Sequence, residues 1–115
     1  MKVYLAKTQY NFPLFGSVPD LTQSDSTVVD SFDISDEEYI LIDQSFVDKT
    51  NELCNAALDI GDYQYYDEKQ CRVMQQWIEK ERLKESDCVL KNFYSRLYGY
   101  LEYAVANATG IAIEL

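Results

Sequence analysis

Ser35-Asp36-Glu37-Glu38 opens the longest patterned stretch of the chain, and no other stretch restricts the fold as much. A serine followed three residues later by glutamate is a capping box, in which the hydroxyl takes the N3 amide and the carboxylate returns to the cap's own N–H. Asp36 and Glu37 place negative charge where a helix dipole favours it. Downstream, Tyr39, Ile42, Phe46, Leu53, Ala57 and Ile60 recur at spacings of three, four or seven, with Ile40, Val47, Cys54 and Leu58 in a second row beside them. The spacing predicts one amphipathic helix running to Ile60 and stopped at Gly61. Its polar side carries Glu37, Gln44, Asp48, Asn51, Glu52, Asn55 and Asp59, with Asp43 at the edge and Leu41 the one apolar residue projected among them. Tyr39-Ile40-Leu41-Ile42 would also suit a short buried strand, but the cap and the length of the repeat favour helix.

After the glycine comes Asp62-Tyr63-Gln64-Tyr65-Tyr66-Asp67-Glu68, which reads as a connection unable to bury all its rings. Tyrosine offers large, stiff contact area with a polar tip, and beside carboxylates it suits lysine and arginine by ion pairing and cation–π contact.

Elsewhere the patterns are shorter. Lys2 to Ala6 alternates as a strand, and Val28 to Phe32 could form a second. The segment from 7 to 27 holds both prolines and is expected to pack as a loop through Phe12, Leu14 and Phe15. A second helix, capped near Asp67, has Cys71, Met74 and Ile78 inward, with Val73 and Trp77 beside them. A third follows Ser86-Asp87, with Leu90, Phe93, Leu97, Leu101, Ala104 and Ala108 on one stripe and Gly110 as its C-terminal glycine. Ile111 to Leu115 is expected to be a last strand beside the first. The fold class that follows is α+β, helix-dominated, with three helices and a small sheet of terminal strands; an all-α bundle is the alternative.

The 115 residues suit a single domain, 1–115, able to build a core without metal or disulfide. Cys54, Cys71 and Cys88 form no C-x-x-C pair and fall within helical patterns, so they read as buried free thiols. There is no histidine, which removes the usual general base and every Ser-His or Cys-His nucleophile. No glycine-rich phosphate loop or calcium-binding loop occurs, so neither catalysis nor a cofactor or metal is expected. The absence of a long apolar run or a leader-like N-terminus predicts a cytoplasmic protein.

Net charge is −10, but fourteen acidic residues against one lysine lie between Asp20 and Glu68. Such a block repels nucleic acid and anionic membrane and attracts basic proteins. In size, acidity, lack of catalytic residues and its Asp62 to Glu68 tyrosine cluster, the chain resembles the small acidic immunity proteins of bacterial contact-dependent inhibition and related polymorphic toxin systems. That resemblance implies a one-to-one complex with a basic toxin domain, often a nuclease. The expected contacts are Leu41, Asp48, Glu52, Asp59, Asp62, Tyr63, Tyr65, Tyr66, Asp67 and Glu68, on a monomer or weak dimer that touches neither nucleic acid nor membrane. A DNA mimic and a subunit or adaptor of a larger assembly are the alternatives.

Overall fold

The alternation in Lys2 to Ala6 produces a strand, and it becomes an interior strand of the sheet. The computed structural model describes Met1–Leu115 in the order β1 (Lys2–Ala6), a hairpin of β2 (Leu14–Phe15) and β3 (Val18–Pro19), a 3-10 turn (Leu21–Gln23), β4 (Val29–Asp33), α1 (Asp36–Ser45), α2 (Val47–Cys54), β5 (Tyr63–Tyr66), α3 (Glu68–Lys84), α4 (Cys88–Asn107) and β6 (Ile111–Glu114). The main sheet is antiparallel throughout, in the order β4-β1-β6-β5. The fold is therefore α+β, with both terminal strands paired as the sequence predicts and the expected second strand present as β4.

Strand register sorts the side chains into two faces. Val3 and Leu5 lie opposite Ile113 and Ile111, and Phe32 and Tyr66 extend the same face, which the helices cover. The other face carries Ala6, Val29 and Ala112 with Tyr4, Tyr63 and Tyr65, and the segment before β4 lies over it through Leu21 and Phe12. Leu14 and Phe15 do not pack as expected. They sit at the tip of a two-stranded hairpin, 67% and 61% exposed.

The capping box at Ser35 forms as predicted: Ser35 Oγ accepts from Glu38 N at 3.1 Å, and Ser35 N donates to Glu38 Oε1 at 3.0 Å. The single helix to Ile60 does not form. Phe46 breaks it into α1 and α2, giving four helices rather than three. Hydrogen bonds across the break survive, from Phe46 N to Ile42 O and from Thr50 N to Phe46 O, so the interruption is confined to Phe46. The Phe46 ring at this break is buried among Trp77, Phe93 and Tyr94. The second helix ends at Asn55, which takes the left-handed conformation that asparagine tolerates. The side chain of Asn51 then accepts from Leu58 N and donates to Leu58 O, pulling Leu58 into the core. Ile60, expected inside, is left 64% exposed.

The later helices follow their patterns. Asp67 and Gln70 form a second capping box, and Asp87 caps α4. Cys71, Met74 and Ile78 are fully buried beneath Phe93, Leu97 and Leu101 of the neighbouring helix, while Val73 is 40% exposed. Two expectations fail here. Cys88 is exposed, because it begins a helix instead of lying on its inner row. The last helix ends at Ala108, in the left-handed conformation, so Gly110 is not its cap. A Cβ at Gly110 would collide with the Tyr65 hydroxyl and stand 2.5 Å from Tyr66 O, so close approach of the backbones is what requires glycine there.

Candidate functional site

The tyrosines form a strand, β5, and not an open connection. Period-two alternation sends Tyr66 inward and Tyr63 and Tyr65 to the opposite face. Tyr66 has no exposed surface and can offer nothing to a partner in this fold; burial pushes its phenol far above the usual range. The Tyr63 hydroxyl donates to Pro19 O at 2.7 Å and accepts from Leu21 N at 2.9 Å, fastening the overlying segment to the sheet. Tyr65 lies against Gly110. Tyr63 and Tyr65 remain half-buried, so both keep some surface while serving the fold.

The carboxylates behave differently. Asp48 and Glu52 stand four residues apart on α2, both exposed. Asp62 N donates to Asp59 O at 3.0 Å, holding these two acids on one turn. Gln70 Nε2 donates to Cys54 O at 3.0 Å, which ties the end of α2 to the start of α3, where Asp67 and Glu68 lie. The phenol of Tyr39 is pushed up by partial burial and by the charges of Asp43 and Asp59.

Few of these acids meet a cation. From the acidic block only Asp33, Glu38 and Glu68 form ion pairs, with Lys2, Arg96 and Arg72. The remaining pair, Glu81 with Lys84, lies within α3. Asp43, Asp48, Glu52, Asp59, Asp62 and Asp67 are exposed with no ion-pair partner. Glu68 is half-buried and occupied by Arg72 at 2.9 Å, which makes it the weakest of the expected acidic contacts.

The apolar residues among these acids are not the one the sequence picks out. Leu41 is half-buried and packs on the core, whereas Ile40, on the same helix, is 60% exposed. Ile60 projects between Asp59 and Asp62. Helical spacing assigns both isoleucines to inner rows, and Ile60 escapes because the helix ends at Asn55. Nothing in the spacing marks Ile40 as exposed.

No group of three or more cysteine, aspartate or glutamate side chains is arranged to hold a metal ion. Burial pushes Cys54 up to about 11 and Cys71 up to about 12, which keeps both thiols protonated and weakly nucleophilic at neutral pH. The two clefts of the molecule, about 210 and 250 Å³, both lie around the segment over the outer sheet face, away from the carboxylates of α2. No helix is long and apolar enough to cross a membrane. Compared with known proteins, the chain matches no family model, no curated protein and no solved structure.

Proposed function

We propose that the chain is an immunity protein that binds a basic toxin domain, most simply a nuclease, and neutralises it by covering its active or substrate-binding surface. One observation carries this reading: Asp43, Asp48, Glu52, Asp59, Asp62 and Asp67 run from α1 to the start of α3, exposed and without a lysine or arginine paired to them. A surface kept only for solubility mixes both signs. Long-range attraction between such a patch and a basic domain speeds encounter, and desolvated apolar contacts then slow dissociation. Ile40 and Ile60, exposed on or beside that patch, are the anchors in this reading, in place of Leu41 and Tyr66.

The test is growth. The product of the gene immediately upstream is expressed alone and together with this chain in a bacterial host. Arrest by the first, relieved by the second through a one-to-one complex, is the expected result. A chain that neither binds that product nor restores growth contradicts the reading. Competition with DNA for several unrelated binding proteins would instead identify a DNA mimic.

A further inference from the structure

We propose that the free edge of β5, together with the cleft beside Phe15, is a docking groove for an extended, arginine-bearing segment of the partner. The two edges of the sheet are finished differently. On β4 the amides of Val29 and Ser31 are taken by Asp25 O at 3.0 Å and Asp30 Oδ1 at 3.1 Å, and Asp33 O accepts from Arg96 Nη1 at 3.4 Å. Half of the outward groups of that edge are thus already occupied, which leaves it poorly suited to another strand. On β5, Tyr63 lies opposite Glu114 and Leu115 N donates to Asp62 O. That register points the backbone groups of Asp62, Gln64 and Tyr66 toward β6 and those of Tyr63 and Tyr65 outward. Of the outward groups, only Tyr65 O has a partner, Gln64 Nε2 at 3.2 Å. A short strand added here would gain main-chain hydrogen bonds at Tyr63 and Tyr65.

Charge and ring chemistry choose the occupant. The adjoining cleft, about 250 Å³, is lined by Phe15, Asp20, Thr22, Gln23, Tyr63 and Glu114. Asp20 accepts from Thr22 N at 3.0 Å, and Glu114 accepts from the Tyr4 hydroxyl at 3.1 Å, yet neither carboxylate pairs with a lysine or arginine. Lys2, the cross-strand neighbour of Glu114, pairs with Asp33 at 3.7 Å. Phe15 stands edge-on to Tyr63 with ring centres 5.9 Å apart and is largely open to solvent. Two unpaired carboxylates between aromatic walls suit a planar guanidinium, which bonds a carboxylate through two parallel N–H groups and stacks flat on a ring; a lysine ammonium pairs only as a point charge and has no plane to stack. Asp62 and Asp67 flank the edge strand and add negative charge at both of its ends. The partner's identity rests on the proposed function, whereas the groove itself does not.

The probe is a capped synthetic hexapeptide of alternating arginine and valine, titrated into nitrogen-15-labelled protein and followed by NMR. Saturable shifts at Tyr63, Tyr65 and Thr22, with slowed exchange of the Tyr63 and Tyr65 amides, are expected. A peptide with glutamate in place of arginine should give none. Asp20→Asn combined with Glu114→Gln keeps acceptors for Thr22 and Tyr4, so the thermal transition should persist while peptide affinity falls about tenfold. Absent shifts, equal binding of the acidic peptide, or binding unchanged in the double variant overturns the groove. In the growth assay, full rescue by the double variant would likewise overturn the groove and leave neutralisation standing. Failure of the unaltered chain to rescue would remove the proposed function, with the groove still decided by the titration.

Discussion

Between Cys54 and Glu68 the chain passes from a helix that shows its charges to a strand that hides its rings. α2 has solvent on one side, so Asp48 and Glu52 remain exposed and unpaired. β5 has a covered face on either side, so Tyr63, Tyr65 and Tyr66 are each drawn into packing. Side-chain chemistry favours all three tyrosines as partner contacts, but the layer arrangement withdraws Tyr66 entirely and leaves Tyr63 and Tyr65 only part of their surface. An aromatic-rich stretch becomes a surface only where one of its faces is left uncovered.

Several substitutions would break or sharpen this contrast. The largest effect is expected at Tyr66, whose ring is wholly enclosed: Tyr66→Ala should cost about 3–5 kcal/mol in urea unfolding, enough to abolish the fold if overall stability is modest. Gly110→Ala comes next, at about 1–3 kcal/mol, because its Cβ meets Tyr65 and the backbone of Tyr66. Combining it with Tyr65→Ala should cost less than the two changes summed, and strict additivity would contradict the close approach.

Alkali should expose the same division more gently. Burial first, then the neighbouring charges of Glu114, Glu81 and Asp30 respectively, pushes the phenols of Tyr4, Tyr94 and Tyr100 up to about 12. In the unfolded chain they ionise near 10.0, so their contribution is complete below that pH and is lost as pH rises through the folded values. The urea midpoint should therefore fall between pH ~10 and pH ~12; a midpoint that stays level would mean that the rings are solvated. The smallest effect on stability belongs to the carboxylate side. Asp48→Asn, Glu52→Gln and Asp59→Asn should each change unfolding by no more than about 0.5 kcal/mol, since no cation is paired to them. A larger loss at any of them would assign that carboxylate to the fold.

Much of the architecture was legible in the sequence because it depends on local rules. The Ser35 capping box, the Asp67 and Asp87 caps, the inner rows of α3 and α4, and the terminal strands all follow from spacing and cap chemistry. The misread parts depend on contacts distant along the chain. Phe46 interrupts a continuous helical pattern where its ring enters a cluster drawn from α3 and α4. Tyr66 is buried because Ile111, forty-five residues later, pairs with it. The acids Asp48, Glu52, Asp59, Asp62 and Asp67 were legible as exposed charges, since a helix face rich in acid stays in water in almost any packing. Ile40 and Ile60 were not legible, because helical spacing assigns both to inner rows.

The central claim, that unpaired carboxylates steer this chain onto a basic protein, is tested most directly by the association rate as a function of ionic strength. Stopped-flow mixing with the toxin domain identified by growth rescue would compare the unaltered chain with a variant carrying Asp48→Lys, Glu52→Lys and Asp59→Lys. The account predicts a fast rate that drops steeply as salt is added for the unaltered chain, and a slow rate with little salt dependence for the variant. Superimposable rates and salt slopes for the two proteins would contradict it.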